Sequence, residues 1–157
     1  MQHRMKTHAL TKKEVEELLE RAQVGRIVTQ NQDGFPYAVP IHFVYHKEKI
    51  YTHGLPKGQK IDNIKRNSKV CFEVDEMLRL MYDGVEKACD TNTQFTSIIA
   101  LGNAVVLEDL DAKREILDKV VAKYTPHFAG EILSEQRVKG TAVIEIAVTE
   151  CTGKYYR

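Results

Sequence analysis

The stretch PYAVPIHFVYH, residues 36–46, constrains the fold more than any other part of this chain. Tyr37, Val39, Ile41, Phe43 and Tyr45 stand at every second position. Successive side chains of a strand point to opposite faces, so this spacing predicts one strand with a core side. Pro40 sits in the middle of it. Proline has no N–H to give to a ladder, so the strand must lie at a sheet edge or bulge there. An edge leaves backbone N–H and C=O groups free, and a flat heterocycle can hydrogen-bond to them.

The neighbouring segments pair with it as hairpins. RIVTQ precedes it across an Asp33-Gly34 turn, and IYTH follows across the turn HKEK. KVCFEVDE, TSIIALGNAVVL and TAVIEIAV also read as strands. Gly102 interrupts the second of these and predicts a bulge or a close backbone approach. Residues 76–92 read as irregular and charge-rich. Three segments read as helices. TKKEVEELLERA opens on a capping box, Thr11 with Glu14, and sets Val15, Leu18, Leu19 and Ala22 on one face before Gly25 ends it. KIDNIKRN turns Ile61 and Ile64 inward and leaves Lys60, Asn63 and Arg66 outside. DAKREILDKVVAKY buries Ile116, Leu117, Val120 and Val121, and a loop with one short helix follows. About six strands in hairpins, without β-α-β alternation, predict a mostly β fold: an antiparallel barrel with helices packed outside.

With 157 residues the chain has the length of one domain spanning 1–157, with 1–10 as a flexible N-terminal arm. A net charge of +1 gives no basis for nucleic-acid binding. No run reaches the roughly 18 apolar residues of a membrane span. The opening residues lack an apolar signal core, so the expected location is the cytoplasm. Cys71, Cys89 and Cys151 are widely spaced, form no CxxC pair and suggest no disulfide framework. Cys71 reads as a buried strand residue.

The segment IYTHGLPKGQK, residues 50–60, concentrates the candidate chemistry. A strand breaks at Gly54, turns through Leu55-Pro56, and sets Lys57, Gly58 and Lys60 just ahead of a helix. It is either a solvated loop or a phosphate cradle, because free N–H groups and cations converge at such a turn. The chain has neither GxxxxGK[ST] nor GxGxxG. His53 is a catalytic group, a ligand or a polar strand-end residue. His42 and His46 lie too far apart along a strand to chelate one metal, and no HExxH or Cys/His cluster exists, so no metal site is expected. The absence of GxSxG argues against a nucleophile-elbow hydrolase.

Taken in order, VGRIVT (24–29), GFPYAVPIHFVY (34–45), IYTHG (50–54), KGQKIDNIKRNSKVCFEVDE (57–76), KACD (87–90), FTSIIALGNAVVLED (95–109) and AVIEIAVTECTGK (142–154) carry a resemblance over nearly the whole chain. The sequence resembles the FMN-binding split-barrel superfamily of pyridoxamine 5'-phosphate oxidase, and within it the nitroimidazole-resistance (Nim-type) branch. That resemblance implies a six-stranded antiparallel split β-barrel that dimerises and holds FMN at the subunit interface. It places Thr52, His53, Gly54, Lys57 and Lys60 around the flavin phosphate and ring edge, with Asn63 one helical turn on. It sets the backbone of Val39, Pro40 and Ile41 against the isoalloxazine edge, and brings Phe95 and Ser97 from the partner subunit. His53 matches the strand-end histidine beside the flavin. Gly54 stands where many relatives have serine, and Phe95-Thr96-Ser97 replaces a common Tyr-Arg-Ser.

The implied function is FMN-dependent reduction of a small acceptor such as a nitroimidazole or nitroaromatic, with His53 donating a proton or holding the acceptor. A non-enzymatic flavin- or haem-binding module is the alternative. A true pyridoxamine phosphate oxidase fits less well, because ECTGKYYR at the C-terminus lacks its substrate-phosphate arginines.

Overall fold

The computed structural model describes residues 7–157. Its strands are β1 (Gly25–Gln30), β2 (Pro36–Ile41), β3 (Phe43–His46), β4 (Lys49–Gly54), β5 (Lys69–Met81), β6 (Asn92–Val106) and β7 (Ala142–Tyr156). All pair antiparallel in one seven-stranded sheet of order β2-β1-β5-β6-β7-β4-β3. The two ends of that order are consecutive in the chain, joined through His42 alone. The sheet therefore curls until its end strands meet at one covalent link without sharing a ladder, which is a split barrel.

That link explains why there are seven strands and not six. The expected single strand 36–46 breaks at His42, where the chain passes from pairing with β1 to pairing with β4. The Tyr124 hydroxyl fastens the break. It accepts the Phe43 N–H at 2.9 Å and lies 2.9 Å from the Phe43 and Gln23 carbonyls, which share its one proton. The His42 ring stacks on the Tyr124 ring at 4.2 Å. The expected core face is correspondingly uneven: Phe43 is fully buried, while Tyr37 on the edge strand is 37% exposed. Pro40 does lie on an edge, since β2 ends the order.

Residues 76–92 are more regular than expected. β5 continues to Met81 and pairs with β6 as far as Asn92, with a register shift between Met77 and Arg79. This outer part is a ribbon with solvent around it, so no buried face imposes the alternation by which strands are read. Gly102 is both bulge and close approach. The register shifts between Leu101 and Gly102, and a Cβ there would lie 2.5 Å from the Ala147 carbonyl oxygen.

Among the described residues four α-helices surround the sheet: α1 (Lys12–Arg21), α2 (Gln59–Arg66), α3 (Leu110–Tyr124) and α4 (Glu135–Gly140). The Thr11–Glu14 capping box is formed, each side chain accepting a backbone N–H. One core fills the barrel, where Ile27, Phe43, Ile50, Phe72, Ile98 and Ile144 meet Leu18 and Leu19 of α1 and Ile61 and Ile64 of α2. A second lies outside it, where Val44, Tyr51 and Val143 of the sheet meet Ile116, Leu117 and Val120 of α3 and Val138 of α4. Burying each such side chain contributes about 1.5–3 kcal/mol. Cys71 belongs to neither cluster. It is half-buried on the sheet face opposite Val70 and Phe72, beside Leu101, which corrects its reading as a buried strand residue.

Of the expected flexible arm 1–10, residues 1–6 lie outside the described residues. The rest is fastened to β7: Tyr155 N–H donates to the His8 carbonyl and Leu10 N–H to the Gly153 carbonyl, both at 3.0 Å. No helix among the described residues is long and apolar enough to cross a membrane.

Candidate functional site

The strand alternation of β4 separates two environments. Ile50 and Thr52 point into the barrel, while Tyr51 and His53 point outward, toward α3 and α4. His53 and Gly54 pair with Val143 and Ala142. Thr141 and α4 immediately precede Ala142, so this register carries α4 to the end of β4. Between them lies an open cleft of about 700 Å³, with His53, Gly54 and Leu55 on one wall and Gln136, Arg137 and Thr141 on the other. A second depression, of about 410 Å³, is lined by Val24, Pro40, Ile41 and His42 and again by His53. His53 therefore borders both.

The imidazole is more than half withdrawn from solvent, and its Nδ1 is buried without a hydrogen-bond partner. Burial first, then the electrostatic influence of the neighbouring His42 and Lys60, holds its pKa below the ordinary histidine value. At neutral pH it is uncharged, with one ring proton and one free lone pair.

Lys60 comes from the first turn of α2. Gly58, with φ 123, turns the loop into that helix and supplies no side-chain cap, leaving the first N–H groups open. A positive φ of this kind suits glycine. The Lys60 ammonium lies 3.5 Å from where a Cβ on Gly54 would stand, so the missing side chain leaves space beside the charge. Burial lowers its pKa. Among the described residues Lys60 makes no ion pair or side-chain hydrogen bond, whereas other half-buried cations do.

Other expected site residues are distributed unevenly. Pro40 and Ile41 face the second depression, with Val39 half-buried just before them on the edge strand. Lys57 is exposed in the loop. Thr52 is fully buried inside the barrel, its Oγ1 unpartnered, so only its backbone reaches the outer side. Asn63, expected outside, is fully buried. Its amide N–H₂ donates to Thr29 Oγ1 at 3.0 Å and Asn31 Oδ1 at 2.9 Å, and its Oδ1 accepts from Gln59 and Arg66. It clamps α2 to β1. Phe95 and Ser97 pair with Tyr156 and Lys154, at the opposite end of β7 from Val143, and a single chain does not bring them to His53. The sequence reading missed Val24, His42, Gln136, Arg137 and Thr141. Only the β4–β7 register and the stacking on Tyr124 reveal them, and neither leaves a local signal. No group of three or more metal-ligating side chains occurs among the described residues.

Residues 11–155 match the family model described as pyridoxamine 5'-phosphate oxidase. No curated protein matches the chain. Among solved structures, the chain is similar to a proposed 5-nitroimidazole antibiotic resistance protein from Bacteroides thetaiotaomicron, with 27% identity, a TM-score of 0.80, and coverage of 94% of this chain and 86% of that one. It is also similar to the flavocytochrome Anf3 from Azotobacter vinelandii, with 20% identity, a TM-score of 0.86, and coverage of 99% and 72%. A third is an FAD and heme binding protein from Mycobacterium smegmatis, with 17% identity, a TM-score of 0.83, and coverage of 94% and 72%. The last two likenesses are of fold.

Proposed function

The chain belongs to the pyridoxamine 5'-phosphate oxidase family, and from that membership we propose that it is an FMN-binding oxidoreductase, acting as a homodimer, that reduces a small acceptor such as a nitroaromatic. The observation that carries this reading is Lys60. A half-buried ammonium without a counter-charge costs free energy, which an arriving anion offsets. The uncapped start of α2 favours the same charge, and Gly54 leaves room for it.

In this reading Lys60 holds the phosphate and Lys57 adds a more solvated charge from the loop. The backbone of Val39, Pro40 and Ile41 meets the ring edge from the free side of β2. Thr52 takes part through its backbone, and Asn63 acts by bracing the helix that carries Lys60. A bound flavin supplies the electron-transfer chemistry that these side chains lack. His53, uncharged at neutral pH, orients the acceptor through its ring N–H or takes up a proton at its free nitrogen. The Bacteroides relative's description supports a nitro acceptor, and the names of the other two support a flavin.

The homodimer reading is supported by the outer face of β6, where Ile99, Leu101 and Val105 are all more than 40% exposed. Phe95 and Ser97 would complete the site from the second copy. A haem-binding module without turnover is the alternative, favoured by the two heme-containing relatives.

Denaturing the purified protein and identifying the released chromophore by chromatography and mass tests the reading. FMN is expected. Haem, or a colourless protein that takes up no added FMN, would overturn it.

A further inference from the structure

We propose that the cleft between His53 and α4 binds a second small organic molecule by an oxyanion group, a carboxylate or a phosphate, held by the Arg137 guanidinium and the Gln136 amide. Its role as the site of the redox partner rests on the flavin reading above; the anion site itself stands on its own geometry.

Arg137 is held firmly at its backbone and free at its tip. Ser134 caps α4 by accepting the Arg137 N–H, Thr141 Oγ1 donates to the Arg137 carbonyl at 2.9 Å, and the adjacent Val138 is fully buried. The guanidinium itself makes no hydrogen bond or ion pair among the described residues. Its acidic neighbour Glu135 is paired with Lys139, and Arg114 of α3 is bonded to the Leu133 carbonyl. Among the described residues no carboxylate lines the cleft. The ionisable side chains that line it are basic, Arg137 on one wall and His53 on the other, and Lys60 stands beside Gly54. Such a pocket attracts anions and repels cations.

Arginine's planar fork matches two oxygens of one group, and a neighbouring amide adds a further donor. The opposite wall offers an apolar body-contact in Leu55, which is 79% exposed. A cleft of about 700 Å³ falls within the usual size for small-molecule sites. The ligand is therefore an organic anion of about ring size, lying against His53 in the cleft that Pro40 and Ile41 do not line.

Titration of the full chain as purified, followed by NMR of its histidines, tests this; His53→Gln identifies the His53 signal. Benzoate, phenyl phosphate and benzyl alcohol are compared at fixed ionic strength. At least one of the two anions is expected to shift His53 saturably, at least about tenfold more tightly than the neutral alcohol, and their comparison identifies the preferred oxyanion. Arg137→Gln should weaken that anion at least about tenfold, Arg137→Lys less, and neither should alter the alcohol, as expected for a charge-assisted contact. Unchanged anion affinity in Arg137→Gln, or equal binding of alcohol and anions, or no saturable shift with either anion, would overturn it. A protein without flavin still gives this result, so failure of the anion site and failure of the flavin reading are separately visible.

Discussion

Lys60 and Lys123 are both half-buried cations, and they differ in what each touches. Lys123 donates to the Leu19 carbonyl at 3.2 Å and stands 4.1 Å over the Phe43 ring. Lys60 has neither kind of contact, which suits it to a ligand. Lys60→Ala should therefore weaken FMN binding by about 10- to 100-fold, leave riboflavin unaffected, and exceed the effect of Lys57→Ala in the exposed loop. Fluorescence titrations with both flavins check this, and equal loss of the two would place the phosphate elsewhere. Lys123 gives a prediction about pH. Burial lowers its pKa from 10.5 to about 8. Between those values the unfolded chain binds more protons than the folded one, so this residue makes stability rise with pH across that window. The melting temperature of the wild type relative to Lys123→Met should thus improve between about pH 7.5 and about pH 10, and a constant difference would refute the assignment. His53 and Lys60 were legible in the sequence because a strand end and a helix start are local features. Asn63 was not. A polar residue at that helical phase reads as solvated unless its partners Thr29 and Asn31, far off in the chain, are known.

The elements divide the same way. Pro40 announced an edge strand and Gly102 a bulge, since each is a constraint that a residue carries with it. The break at His42 was invisible, because the alternation Tyr37 to Tyr45 runs straight through it. What breaks the strand is barrel closure, pinned by Tyr124 from a helix the local pattern cannot see. The short helix α4 was readable as a helix, but its place beside His53 depends on the β4–β7 register. Gly102 offers the clearest test at this scale. Gly102→Ala would press a methyl against the Ala147 carbonyl oxygen, and should destabilise the protein by roughly 1–3 kcal/mol. Gly140→Ala meets nothing within 4 Å and should leave urea-unfolding midpoints almost unchanged. Similar losses in both would remove the steric account.

A single copy of the molecule leaves Ile99, Leu101 and Val105 facing water along β6, with Met77 at 61% exposure on β5. A stable pair buries at least about 1,000 Å². Leu101→Arg should sediment as a folded monomer at micromolar concentration and lose flavin affinity together with dimerisation. A monomeric wild type that retains flavin would refute the homodimer reading. The seam between α1 and β7 has a different consequence. Arg157 donates to Glu14 at 2.6 Å across 143 residues of sequence, alongside the backbone pairs of His8 and Leu10 with β7. Closing so long a loop is entropically expensive, and sheets dominated by distant partners fold in about milliseconds to seconds. Synthesis imposes a longer delay. At about 5–20 residues per second, α1 waits roughly 7–30 s for the strand that seals it, with the apolar side chains of Leu18 and Leu19 exposed to whatever chaperone is near the ribosome.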